Sequence, residues 1–239
     1  MWPVTAVRFP VCGRYTHKYT WKQLHRLMLL TTEELGLSER YNVAPSQDAP
    51  VVRTTKDGGR GLFMLRWGLI PSWAKDTKFG YKTINARAET VATQPAFRSA
   101  FKKRRCLVPV SGFYEWRAIP GSKIKQPYYI TAADEEPLVF AGLWEWWRDP
   151  ADDSAEPIES FTILTTSPNE LMGEIHNRMP VILSREDFGL WLDAGNDGDE
   201  AVRGLLRPYP SELMMARKVS TLVNSPKNDS PECAKPIDG

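Results

Sequence analysis

Three segments of the sequence combine residue types that can do covalent or proton-transfer chemistry. Near the amino end, Val11-Cys12-Gly13-Arg14-Tyr15 sets a thiol beside a glycine and two residues from a guanidinium. The glycine permits close backbone approach, and the arginine is a bidentate donor for phosphate or carboxylate. A lone cysteine is also commonly structural, because reactivity depends on thiolate stabilisation that spacing does not display. Gly112-Phe113-Tyr114-Glu115-Trp116 places one carboxylate among aromatic rings. Burial there would raise its pKa and suit it to proton transfer near neutrality, whereas on an open strand edge it would be an ordinary surface glutamate. In Ile175-His176-Asn177-Arg178-Met179-Pro180 the histidine is either a general acid/base or a hydrogen-bonded structural residue. His17 and His25 have no comparable surroundings.

A second group of residues fits an anionic, aromatic partner. Arg66-Trp67-Gly68-Leu69-Ile70-Pro71-Ser72-Trp73 is followed by Lys75, Lys78 and Lys82. Indoles beside cations are what unpaired nucleobases and their phosphates require, and the competing reading is that both tryptophans are core. Asn85-Ala86-Arg87-Ala88-Glu89-Thr90 is too polar for a simple core strand, so it reads as a surface turn or part of a site. Lys102-Lys103-Arg104-Arg105 reads as a solvated helix end that complements the macrodipole. Residues 1–130 hold 22 Lys+Arg against 8 Asp+Glu, a charge of +14, while the rest hold 9 against 21, or −12. The formal net charge of +2 therefore conceals a basic half suited to a polyanion or, equally, two solvated charged faces.

With 239 residues, 42% hydrophobic and 25% charged, the composition is globular, which excludes disorder, collagen and coiled coil. The scattered Cys12, Cys106, Cys233 and histidines contain no C-x-x-C or H-x-x-x-H pair, so neither a metal site nor a disulfide framework is expected. Apolar stretches are too short for a membrane span, and residues 1–11 lack a signal-peptide core. The expectation is a reduced, cytoplasmic, monomeric protein without cofactor.

These residues must be positioned by a fold in which strand signals outnumber helix signals. Strands are predicted over 51–54 and 62–67, joined through Asp57-Gly58-Gly59, and over 106–110, 113–116, 128–131, 138–146 and 161–166. Helices are predicted from Thr20 with its capping partner Gln23, from Pro95, from Ser167-Pro168-Asn169-Glu170 and from Ser184. Helices inserted irregularly among strands give an α+β fold, a single domain with a largely antiparallel or barrel-like β core and peripheral helices. The domain spans 12–224, with an extension over 1–11 and an irregular tail over 225–239 that frays at its end.

Taken together, the segments at Cys12–Tyr15, Tyr41-Asn42-Val43-Ala44-Pro45, Arg66–Leu69, Asn85–Thr90, Gly112–Trp116, Thr165-Thr166 and Ile175–Pro180 resemble the SRAP family of SOS-response-associated proteins. That resemblance implies a β-rich α+β domain that binds single-stranded DNA, including junctions with duplex. It also implies a covalent thiazolidine between an amino-terminal cysteine and an abasic-site aldehyde. Carried onto this sequence, Cys12 is the nucleophile, Asn85 positions the opened sugar, and Glu115 and His176 transfer protons. Arg14, Asn42, Arg66, Trp67, Trp73, Arg87 and Trp116 would hold the DNA.

In the family the cysteine follows the initiator methionine directly, whereas Val11 stands there in this chain. A GTG start codon read as internal valine, or a cleaved propeptide, reconciles the two. The family is also described as peptidase-like, chiefly in exposing its own cysteine. Two further readings compete: a thiol peptidase using Cys12 and His176, and a non-catalytic single-strand-binding module.

Overall fold

The computed structural model describes residues 12–152 and 154–237; the expected extension at 1–11 lies outside the described residues. The hairpin of β3 (Asp48–Thr54) and β4 (Arg60–Trp67) is in register from Asp48 opposite Arg66 to Thr54 opposite Arg60. Its turn needs Gly58, whose φ of 85° is unfavourable for residues bearing a Cβ. β6 (Arg105–Val110) pairs with β3, and β9 (Leu138–Trp147) pairs with β6. β10 (Ile158–Thr166) lies antiparallel to β9 and parallel to β4, so these strands close into a five-stranded barrel.

Strand periodicity sorts the barrel's apolar residues into two sets. Val51, Leu65, Cys106, Phe140, Phe161 and Ile163 belong to one cluster, and Val52, Leu107, Val139, Ala141 and Leu164 to another. The second is covered by α1 (Trp21–Met28), α2 (Arg98–Lys103), α4 (Phe188–Leu192) and α5 (Glu200–Gly204), with the short α3 (Glu170–Gly173) lying elsewhere. A Cβ at position 142 would stand 2.8 Å from the Cys106 sulfur, so glycine is needed where β9 crosses β6.

The second sheet takes strand order β12-β8-β7-β1-β2, with β1 (Tyr15–His17), β2 (Arg40–Val43), β7 (Gly112–Ala118), β8 (Lys125–Ala132) and β12 (Met214–Lys218). Only Ser111 separates β6 from β7, so one chain segment passes directly from barrel to sheet. On β7, Phe113 joins the barrel-side cluster while Tyr114 and Trp116 join Tyr129, Val219, Val223 and Cys233 on the other face. Alternation therefore aims Glu115, like Phe113, toward the barrel. The remaining strands, β5 (Asn85–Arg87) and β11 (Met179–Pro180), add to β10 near its end.

The α+β barrel with peripheral helices stands as expected, with parallel pairing of strands at β10 against β4 and β5 and one isolated parallel bridge between Leu30 and Arg60. Other expectations need correction. The helix expected from Ser167 is capped by Asn169, whose side chain accepts from Met172 N, and it ends at Gly173. The basic run is only partly solvated: Arg105 is buried and donates to the carbonyls of Trp191, Phe101, Lys102 and Asp193. The tail is held as far as residue 237, with Val219 bridged to Pro236 and the buried Cys233 packed against Tyr114, and the fraying expected at its end falls outside the described residues.

Candidate active site

β1 and β7 hold the two chemical centres side by side. Tyr15 pairs with Phe113, and the last ladder bond runs from Tyr114 N to Arg14 O at 3.0 Å. Beyond it the chain leaves the ladder, and Cys12 adopts a φ of 46°, in the left-handed region. The Cys12 backbone nitrogen donates to Glu115 Oε1. Both residues are buried, each 1% exposed.

Burial is the main reason that the Glu115 pKa is pushed up to about 7, opposed by the Cys12 backbone and thiol donors, the Trp116 backbone and the charge of Lys125. Burial, followed by the nearby Glu115 charge, also pushes the Cys12 thiol well above its ordinary value. The resting pair is therefore a neutral thiol beside a carboxyl that exchanges its proton near neutrality.

His176 follows α3, its backbone N–H bonded to Met172 O at 2.7 Å. Its Nδ1 accepts from Arg178 N at 3.2 Å, which leaves the imidazole proton on Nε2 as a donor. Burial lowers its pKa, aided by the Lys125 and Arg178 charges, so the ring is neutral at pH 7. Arg178 forks onto Glu89 at 2.6 and 2.9 Å and donates to Thr165 O at 2.6 Å. Its charge also acts on Cys12. Asn85 is half-buried on β5 opposite Ile163, two residues before Arg87 pairs with Thr165. The end of β10 thus carries Asn85 on one side and the Arg178 anchor on the other.

The residues expected to hold DNA separate into two groups. Trp67 is fully buried, packed between Tyr15 and Phe161 with its indole N–H on Ile84 O, so its ring is core rather than a stacking platform. Asn42 is buried and its amide donates to the Val223, Ser225 and Asn228 carbonyls. Arg14 donates to Asn42 Oδ1, Val223 O and Asn224 O, and Trp116 donates to Asn224 Oδ1. These four residues build the support of the site. Trp73, by contrast, is 57% exposed and meets Phe79 edge-on at 5.1 Å. It lines a cleft of about 430 Å³ with Lys75, Lys78 and Lys82. Arg87 is exposed and Arg66 half-buried.

The family pattern of the SOS response associated peptidase (SRAP) matches residues 11–226. The chain belongs to the SRAP family. It is 48% identical over 193 residues to the abasic site processing protein YoqW of Bacillus subtilis (strain 168), covering 80% of this chain and 84% of that one. To the abasic site processing protein HMCES of Gallus gallus it is 34% identical over 228 residues, 83% of this chain and 66% of the relative. A crystal structure of a protein from Bacteroides thetaiotaomicron superposes with a TM-score of 0.83 at 28% identity, over 95% of this chain and all of that one.

Within this SRAP domain the sequence reading gave no role to Arg178 or Lys125. Arg178 carried a signal, lying two residues after His176 in a run already singled out. Lys125, at the start of β8, carried none. No cluster of His, Cys, Asp and Glu among the described residues has the makings of a metal site, and no described helix is long and apolar enough to cross a membrane.

Proposed function

We propose that the protein captures abasic sites in single-stranded DNA as a thiazolidine on Cys12, once the residues before it have been removed. The observation that carries this reading is the contact of the Cys12 nitrogen with the buried Glu115 carboxylate, with a thiol on the same residue. Freed of its peptide bond, that nitrogen is an α-amine with an ordinary pKa of about 7.7 to 8.0, which Glu115 can deprotonate.

The His176 Nε2–H hydrogen-bonds the sugar's ring oxygen while the C1–O bond breaks, and the proton lost by the anomeric hydroxyl ends on that oxygen, giving the open aldehyde with no net change in protons. The amine adds to the aldehyde carbon, and water leaves with a proton from Glu115, giving a Schiff base. The thiol then adds across the C=N bond: sulfur bonds carbon and the thiol proton ends on nitrogen. One amine, one thiol and one aldehyde are consumed, one water is released, and nothing is oxidised. A reaction halted at the Schiff base would leave the strand open to β-elimination, a lyase outcome that ring closure prevents.

Trp73, with Lys75, Lys78 and Lys82, supplies a stacking face beside cations, and Arg66 and Arg87 supply further phosphate contacts at single strands or junctions. The protein so read acts in the cytoplasm, on the nucleoid. The same Cys12–Glu115 contact favours a second activity, self-release of residues 1–11. In the intact chain the Cys12 nitrogen is the leaving group of the preceding peptide bond: Glu115, whose carboxylate meets that nitrogen, would take a proton from the water that adds to the acyl carbon and return it to the nitrogen as the C–N bond breaks.

The test is incubation with an oligonucleotide whose single uracil has been removed by a glycosylase. A heat-stable adduct is expected, with a mass equal to protein plus DNA less one water and the DNA attached at Cys12. Attachment elsewhere, or adduct on intact uracil DNA, overturns the reading.

A further inference from the structure

The site has a second wall that the chemistry above does not use, made by the C-terminal segment. Thr221–Asn224 forms a single 3-10 turn, capped by the Ser220 side chain on Leu222 N. Carbonyls at the end of such a turn lack partners of their own. Here Arg14 takes the carbonyls of Val223 at 2.7 Å and Asn224 at 3.4 Å, and Asn42 reaches those of Val223 and Ser225 at 3.2 and 2.9 Å. Asp229 fastens the segment to β2, accepting from Tyr41 N at 2.5 Å, Asn42 N at 2.9 Å and the Arg40 side chain. The family match ends at residue 226, so Asn228 and Asp229 complete this clasp from beyond it.

One residue in the segment touches both sides of the reacting pair. Asn224 accepts from Arg14 through its backbone carbonyl and from Trp116 Nε1 through its side chain at 2.7 Å. Arg14 is two residues from Cys12, and Trp116 is next to Glu115. Because ladder bonding stops at Arg14, the approach of Cys12 to Glu115 depends on what holds the Arg14 side chain.

Given the chemistry proposed for Cys12, we propose that Asn224 is a positioning residue for it, tying Arg14 to Trp116 and so fixing the Cys12 nitrogen against the Glu115 carboxylate. An amide suits this place. Its side-chain oxygen accepts the indole N–H while its backbone carbonyl accepts from Arg14, whose other acceptors are Asn42 Oδ1 and Val223 O.

The experiment uses the full chain, with its amino terminus read by intact mass, and has two arms. In the first, single-turnover adduct formation is measured at saturating abasic oligonucleotide. Asn224→Ala should slow it by about 10- to 100-fold, the scale of a small misplacement of reacting groups, with affinity for a non-reactive tetrahydrofuran oligonucleotide within about twofold. Asn224→Asp, which keeps the acceptor, should recover most of the rate. Trp116→Phe should slow the reaction like Asn224→Ala, and the double variant should be no slower than the slower single one. In the second arm, without DNA, alkylation by iodoacetamide is mapped by peptide mass. In Asn224→Ala the buried Cys12 should react about tenfold faster or more, while Cys106, buried on β6, should not.

Unchanged Cys12 alkylation overturns the inference whether or not the protein reacts with DNA. So does equal acceleration at Cys106, or a lower melting temperature with an unchanged saturating rate. Absence of adduct in the unmodified protein counts against the proposed function instead. If Asn224→Ala does not fold, Trp116→Phe reports the same bond in both arms.

Discussion

Cys12 and Glu115, 103 residues apart in sequence, meet through backbone nitrogen and carboxylate, both buried from solvent. The contact engages the one nitrogen that would become an amine if the chain began at Cys12. That makes the state of the amino terminus the controlling variable of the chemistry.

A chain made to begin Met-Cys12 should lose its methionine and crosslink abasic single-stranded DNA. One forced to retain residues 1–11 should bind without crosslinking, because a peptide nitrogen is delocalised into its carbonyl and is no nucleophile. Mass spectrometry of both after incubation decides it, and a stable adduct on protein that keeps its extension would refute the mechanism.

Cys12→Ala should abolish the adduct while leaving affinity for single-stranded DNA nearly intact, since the buried side chain offers little surface to a strand. Gel shift and denaturing gel, run on the same samples, separate the two outcomes.

Glu115→Gln should slow adduct formation by about 10² to 10⁴, the usual cost of losing an acid/base group. The variant also tests stability against pH. A carboxyl raised from 4.5 to about 7 binds more protons folded than unfolded between those values. Stability should therefore fall as pH rises from about 4.5 through 7, by roughly 3 kcal/mol, and the fall should be absent in Glu115→Gln. Urea unfolding at pH 5 and pH 8 reads the difference.

Trp73→Ala should weaken single-strand binding by about 1 to 3 kcal/mol, the worth of one base stacked on an aromatic ring, without changing the rate at saturation. Trp67→Ala should instead cost about 3 to 5 kcal/mol of fold stability, because that ring fills the core. Salt-dependent binding isotherms and thermal melts on both variants should show the two effects exchanged.

The contrast between these tryptophans marks how far the sequence could be read. Apolar runs such as that over 138–146 and the Gly58 turn carry their own signal, so the barrel strands were legible. β5 and β11 were not, because strands of two or three residues hold too little periodicity, and their pairing is decided by β10. The spacing of Trp67 and Trp73 says nothing of which ring faces solvent. Nor does a basic run disclose that Arg105 turns inward to the carbonyls ending α2 and α4. Cys12 and Glu115 stand out in the sequence, and the fold brings them together in a buried contact. Arg14, Asn42 and Trp116, expected to hold DNA, turn polar atoms to partners some 108 to 210 residues away, which no local pattern displays.

That last distance has a consequence for how the molecule comes into being. Arg14 is made early, and the carbonyls it holds are made 209 and 210 residues later. At about 5 to 20 residues per second, synthesis leaves the cysteine without its clasp for roughly ten seconds or more. Contacts this distant in sequence also close slowly once both ends exist. A chain still being made therefore has every strand of its barrel, the last of which ends at Thr166, before it has the carbonyls that Arg14 holds.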